Sequence, residues 1–405
     1  MNSDDRQLIK LNEFAELINQ PYQPSSGENL YYIGLEHIEQ QTLRIIGIGD
    51  SSDVISQKHR FVAGDILFGK LRPYFRKVVK PTFDGVCSTD IWVIGAKPGF
   101  DQKFLFYFLA NQCFIDACNR SSSGTRMPRA DWAYLSETLW ELPFLPQQQY
   151  IGEILSALDD KIELNRQTNK TLEEIAQAIF KEWFIDFNYP GATGEVVESI
   201  LGLIPKGWRI QSLGDLSSTI TKGTTPTTLG DDFVEKGVRF LRVDCINETY
   251  GLDESKSLFI TQETHEKLRR SQLIQNDILI TIAGSIGRLS IVTERVLPAN
   301  LNQAIGIIRI DENIVPVNYI FQYLKQPIIR DKLLSGVTQS VQANISLQDL
   351  RSLLIIIPSK QVLFDYQRIL EPIRDYMDNN NNQSSTLQTI RETLLPKLMR
   401  GESEL

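Results

Sequence analysis

PQQQYIGEILSALDDKIELNRQTNKTLEEIAQAIFKEWFIDF, from Pro146 to Phe187, sets apolar residues at alternating steps of four and three: Ile151, Leu155, Leu158 and Ile162, then Leu172, Ala176, Ile179 and Trp183. That spacing returns each side chain to one stripe of an α-helix, the seam of a coiled coil. The stretch predicts one long helix that needs a partner. Asn165 and Asn169 fall on the same stripe at mid-helix, where buried amides fix register at a cost in stability. Pro146 stands in the first turn, where proline is tolerated, and the breakers of Phe187-Asn188-Tyr189-Pro190-Gly191 end the helix.

The partner is found by adding 215 to the seam positions. This gives Tyr366, Leu370, Ile373, Met377, Asn380, Ser384, Leu387, Arg391, Leu394 and Leu398, with the polar waist in the same place. The offset also holds upstream: Phe104, Phe106, Phe108 and Leu109 fall on Tyr319, Phe321, Tyr323 and Leu324, and Leu135 falls on Leu350. The chain reads as two copies of one unit, each a globular part followed by a long helix. Pro372, Pro396 and the run Asn379 to Asn382 are poor helix formers and predict kinks or frayed ends in the second helix. The expected boundaries are a first domain at 1–145, a central helix at 146–187, a linker at 188–207, a second domain at 208–358 and a C-terminal helix at 359–400.

A length of 405 residues supports two domains with their own cores. Cys87, Cys113, Cys118 and Cys245 show no CxxC spacing, and with three histidines in the chain no zinc set is expected. No apolar run reaches signal-peptide or membrane-span length, which predicts a soluble, cytoplasmic protein without membrane contact. A formal net charge of -8 argues against general polyanion binding, so any nucleic-acid surface must be local.

The first domain opens with an amphipathic stretch, Leu8 to Ile18, and a turn at Pro24 to Gly27. Strands are expected at Leu30–Ile33, Asp65–Phe68, Val78–Val79 and Ile91–Ile94, followed by a buried helix over Phe104–Cys118 and a loop at Ser121–Arg126. Between two of those strands lies a segment with Lys70, Arg72, Arg76, Lys77 and Lys80, no acid, and the aromatics Tyr74 and Phe75. Cations interleaved with aromatics suit phosphate and base-edge contact, and a solvated hairpin explains the composition equally well. Arg126 and Arg129 lie near the following loop. In the second half, Asn276-Asp277-Ile278-Leu279-Ile280 repeats the Gly64-Asp65-Ile66-Leu67-Phe68 step at an offset of 212. The turn after it, Gly284-Ser285-Ile286-Gly287, delivers Arg288 and permits close backbone approach, although a lone GxxG is more often simply a tight turn.

Catalytic signatures are missing: there is no GxxxxGK[ST] loop and no Asn/Asp-Pro-Pro-aromatic tetrapeptide. Asp244 with Glu254 and Lys256 could form a nuclease metal site, but their turn-like setting favours a plain surface role. A coiled-coil scaffold presenting two protein-binding domains is the alternative for the whole chain.

The pattern PxQQxIxxxLxxxDxxIxxN, carried by Pro146, Gln148, Gln149, Ile151, Leu155, Asp159, Ile162 and Asn165, continues through Leu172, Phe180, Trp183 and Phe184. With Leu395, Pro396, Leu398, Gly401 and Glu402 near the other helix end, it resembles the specificity subunit of type I restriction-modification enzymes. DILFGKLRPYFRKV and DILITIAGSIGRLSIV, the latter followed by Leu301-Asn302-Gln303-Ala304, resemble target-recognition signatures. The resemblance covers essentially the whole chain. It implies an α+β fold of two target-recognition domains, whose helices pack as an antiparallel coiled coil with pseudo-two-fold symmetry and act as a ruler. At ~1.5 Å per residue the first helix would run roughly 55 Å, more than the ~34 Å turn of duplex DNA. The chain itself would be non-catalytic and would read a bipartite site in double-stranded DNA. Its partners would be two methyltransferase subunits and two restriction/translocase subunits, and S-adenosylmethionine, ATP and Mg would reside in those partners. Lys70, Arg72, Tyr74, Arg76, Lys77, Lys80, Arg126, Arg129, Gly284, Ser285, Gly287, Arg288, Asn302 and Gln303 are the candidate DNA-binding residues.

Overall fold

The computed structural model describes residues 6–24, 29–122, 127–335 and 344–402. The chain divides into two compact units, residues 1–167 with 380–405, and residues 168–379. The central helix spans Leu145–Phe184 and the C-terminal helix Lys360–Arg400, so each contributes one part to each unit.

In the first unit, Ala15–Leu17, Ile91–Ala96, Ile66–Gly69 and Val78–Val79 form a four-stranded antiparallel sheet in that spatial order. A second sheet has five strands and contains one parallel pair, Tyr31–Ile33 beside Gly85–Cys87. Arg6–Lys10 pairs with Leu139–Pro143, the strand that leads into the long helix. The expected amphipathic stretch at Leu8–Ile18 is thus two short strands flanking a helical turn, Leu11–Phe14. The expected buried helix over Phe104–Cys118 is two, Gln102–Ala110 and Gln112–Ser121. Asn111, extended at φ -72 and ψ 143, breaks it, and its side chain accepts from the Cys113 N–H at 2.9 Å to cap the next helix. The turn expected at Pro24–Gly27 and most of the loop at Ser121–Arg126 lie outside the described residues.

The second unit repeats this plan. Ser217–Lys222, Ile305–Ile310, Ile278–Thr281 and Leu289–Ile291 form the four-stranded sheet in the same order. Val238–Leu241 runs parallel to Ala299–Leu301, and Arg209–Ser212 pairs with Leu354–Ile357. The helix Val317–Lys325 lies 215 residues after Gln102–Ala110 at both ends. The expected linker contains a two-stranded hairpin, Val196–Ser199 with Gly202–Pro205. Its apolar pairs satisfy their backbone locally, with Val197, Ile200 and Leu203 still exposed.

Each unit pairs its parts of the long helices in antiparallel sense. In the first, Ile151 and Leu155 share a buried core with Leu395 and Leu398, while Asn165 Nδ2 donates to Gln383 Oε1 at 2.9 Å and Ser384 Oγ at 3.2 Å. In the second, Phe180 and Trp183 meet Tyr366, and Asn169 Nδ2 donates to the Met377 carbonyl at 3.1 Å. All the seam residues named from the sequence are buried or half-buried. The C-terminal helix continues through Pro372, Pro396 and the asparagine run without interruption. Pairing with the other helix supplies what local propensity lacks.

Each globular part also grips its own helix. Gln148, buried, donates to the Pro143 carbonyl at 2.8 Å and accepts from the Asp101 N–H at 3.0 Å. Gly152 lies so close that a Cβ there would sit 2.8 Å from Asp101 Oδ1. These contacts tie the central helix to the helix Gln102–Ala110.

Candidate nucleic-acid interface

The step from Asp65 into the strand Ile66–Gly69 places the first loop. Asp65 is buried and accepts from the Val62 N–H at 2.9 Å, and burial raises its pKa. Asp277 repeats the step, accepting from the Ile274 N–H at 2.9 Å, and there Arg309 adds two bonds of 2.7 and 2.8 Å to the carboxylate. The two strands carry their chains to equivalent loops, residues 70–77 and 282–288.

Both loops are framed in the same way. Leu71 bridges Arg129 and Ala283 bridges Asn344, partners separated by 212 and 215 residues respectively. Arg72 takes a left-handed backbone at φ 52, and Gly284, 212 residues later, takes the same region at φ 76. For a residue with a side chain that conformation costs about 1–2 kcal/mol, whereas glycine adopts it freely. In the first loop the strain is held by hydrogen bonds. The Arg72 N–H donates to the Pro128 carbonyl at 2.7 Å, the Phe75 N–H to the Arg72 carbonyl at 3.0 Å and the Gln41 N–H to the Phe75 carbonyl at 3.1 Å. Arg76, at φ 46, is a second left-handed residue closing the same turn.

The cations of this segment divide into two sets. Arg76 turns inward: its guanidinium donates to the Gln41 carbonyl at 2.6 Å, and burial, then the proximity of Arg391, lowers its pKa. Lys77 donates to the Leu35 carbonyl and Lys80 lies 5.8 Å from the Phe106 ring centroid, both amines with pKa lowered first by burial. Arg76 and Lys77 thus tie the base of the loop to neighbouring carbonyls, and all three cations are half-buried. Lys70 and Arg72 make no ion pair and no side-chain hydrogen bond with any described residue, and Tyr74 is 47% exposed, edge-on to Phe75 at 4.6 Å. Arg129 is exposed but bonded to Asp90 at 3.0 Å. Arg126 lies outside the described residues.

In the second unit the corresponding end is polar and its cations are engaged. Arg288 donates to the Ile246 carbonyl and to Glu248, both at 3.1 Å, and Arg242 pairs with Asp244 at 2.8 Å. Gly284 and Gly287 shape the loop, and the Ser285 carbonyl accepts from the Thr281 hydroxyl. Asn302 caps its own turn through the Ala304 N–H at 3.2 Å, while exposed Gln303 accepts from the Thr225 hydroxyl. Thr225 was not singled out from the sequence. The cue lies in Gly223, whose Cβ would collide with the Leu301 and Asn302 carbonyls, so the two turns are pressed together.

Among the described residues, no group of three or more His, Cys, Asp or Glu side chains gathers as a metal site. Asp244 is paired as above, and Glu254 is held by Arg239 and Arg295 at 3.1 and 3.0 Å. No described helix is long and apolar enough to cross a membrane.

A family model described as "Type I restriction modification DNA specificity domain" matches residues 4–174 and again 205–391. The type I restriction enzyme HindI specificity subunit of Haemophilus influenzae is 25% identical, with 98% of this chain and 99% of that protein covered. The type I restriction enzyme MjaIX specificity subunit of Methanocaldococcus jannaschii is 26% identical over 76% of this chain and 70% of its own length. Among solved structures, the S subunit of a type I restriction-modification system from M. genitalium is similar in fold, with a TM-score of 0.60 at 14% identity over 98% of this chain and 97% of that one.

Proposed function

The chain belongs to the type I restriction-modification DNA specificity family, and from that premise we propose that it reads a two-part sequence in double-stranded DNA, one part with each unit. The observation that carries this reading is the repeated loop frame: the same bridge and the same left-handed step present residues 70–74 in one unit and 282–288 with 302–303 in the other. Duplicated scaffolds with different side chains at equivalent places suit two different half-sites. Half-buried Lys70 and Arg72 and exposed Tyr74 supply charge and a flat face for phosphate and base contact.

The chain performs no bond-making step itself. It positions partners: two methyltransferase subunits that modify adenine with S-adenosylmethionine, and two restriction/translocase subunits that use ATP and Mg. The two long helices set the spacer and carry the partner subunits. The site of action is the cytoplasm, where host DNA is accessible.

Genome-wide methylation mapping tests the assignment. Replacing residues 195–355 with the matching part of a relative should change one half of the methylated motif and leave the other unaltered. A swap that alters bases in both halves overturns the division of labour between the units. A complex that assembles with its methyltransferase subunits yet shows no sequence preference on a random duplex pool supports a protein-binding scaffold instead.

A further inference from the structure

We propose that Arg72 is a specificity-determining residue of the first unit, reading a guanine through its guanidinium fork. The inference rests on the DNA-reading assignment above and adds the residue and the base. The loop geometry calls for a left-handed residue at this step, as Gly284 shows in the other unit, and glycine would fill it without strain. An arginine here works against local backbone preference, and the fold gains nothing visible in return: its side chain bonds no described residue. Strained backbone of this kind is sustained where the surroundings over-determine it, and it concentrates at functional positions.

The neighbourhood supports a rigid reader. The Pro128 carbonyl holds the Arg72 N–H, the Leu71–Arg129 bridge fixes the preceding residue, and Arg76 and Lys77 anchor the far side of the turn to the Gln41 and Leu35 carbonyls. The stem of Arg72 therefore leaves from a fixed point. Its fork presents only donors, which match the O6 and N7 acceptors of guanine in the major groove and no other base edge as well. Lys70, two residues earlier and bonded through its side chain to no described residue, suits the adjacent phosphate.

The test uses the complex assembled with its methyltransferase subunits and selection from a random duplex DNA pool, alongside thermal unfolding of each variant. The wild type should enrich a motif with guanine at one position of one half. Arg72→Gly and Arg72→Lys should each reduce the preference for that guanine by roughly 5- to 100-fold, with the remaining positions unchanged. Arg72→Gly should unfold no earlier than the wild type, because it relieves the left-handed strain, which separates loss of reading from loss of fold. Should the glycine variant fail to assemble, the lysine variant decides alone, since it keeps charge and length and lacks the fork. Undiminished guanine preference in the variants overturns the proposal. So does a uniform loss of affinity across all sequences with a shallower salt dependence, which marks a phosphate contact. A wild-type complex that enriches no motif at all sinks the DNA-reading assignment rather than this residue's part in it.

Discussion

The two units solve the same packing problem at the same positions with different chemistry. In the first, Ile151, Leu155, Leu395 and Leu398 build the contact between the long helices from aliphatic side chains. In the second, the residues at the 215-offset positions are Tyr366, Leu370, Phe180 and Trp183, and the contact is largely aromatic, with Phe184 4.7 Å from Tyr366 and 4.9 Å from Tyr319. Polar partners diverge as well. Buried Arg391 pairs with Asp159, which also accepts from the Tyr107 hydroxyl at 2.6 Å. The equivalents in the second unit are Ala176, Arg374 and Gln322, and Arg374 turns to Asn318 and Asn276 at 3.0 Å each. What the duplication preserves is backbone register; the side chains that fill it are free to differ as long as each set is complete.

If that is right, truncation should hurt most where the set is aromatic. Phe180→Ala, at a fully buried ring contacting Tyr319, Tyr323 and Tyr366, should cost about 3–5 kcal/mol, against about 2–4 for Leu395→Ala at its offset position. Hydrogen exchange should locate each loss in its own unit, and equal costs would dissolve the contrast. Next, Asp159→Ala leaves Arg391 buried without its carboxylate and should destabilise the first unit by about 3 kcal/mol in denaturant unfolding. A near-neutral result would show that Glu392, 3.7 Å away, takes over the guanidinium.

The smallest effect sharpens the polar difference. Lys325 is buried against Phe321 and Tyr250, with Glu173 accepting from its amine at 2.8 Å. Burial, only partly offset by Glu173, lowers its pKa to about 8 from the ordinary 10.5. Between those values the folded state binds fewer protons than the unfolded chain, so stability from this group rises with pH above about 8 and the burial penalty is fully present below it. Unfolding midpoints followed from pH 7.5 to 9.5 should therefore climb in the wild type relative to Lys325→Met. Parallel curves would show that the amine does not titrate there.

The sequence displays periodic features well. The seam, the 215 offset and the strands around Asp65 and Asp277 were legible because each rests on a spacing that one helix face or one pleat imposes. The hairpin at 196–205 was not, since Val196-Val197 and Leu203-Ile204 lack alternation and read as linker. The loop was half legible. Composition marked Lys70 to Lys80 as cationic but could not tell which stems reach back to carbonyls more than thirty residues away, as Arg76 does to Gln41 and Lys77 to Leu35. The left-handed state of Arg72 was hidden too, because arginine carries no hint of it; only its alignment with Gly284 does.

The composition of the first unit from residues 1–167 and 380–405 bears on how the protein comes into being during synthesis. Residues 168–379 are contiguous and can fold once they have left the ribosome. The unit that is translated first must wait, with Ile151 and Leu155 uncovered, until Leu395 and Leu398 emerge. Its assembly closes a loop of more than two hundred residues, a contact of high sequence separation and correspondingly slow formation. A nascent chain stalled before residue 380 would hold a folded second unit and an unfinished first one, so the N-terminal unit is the last part of the molecule to mature.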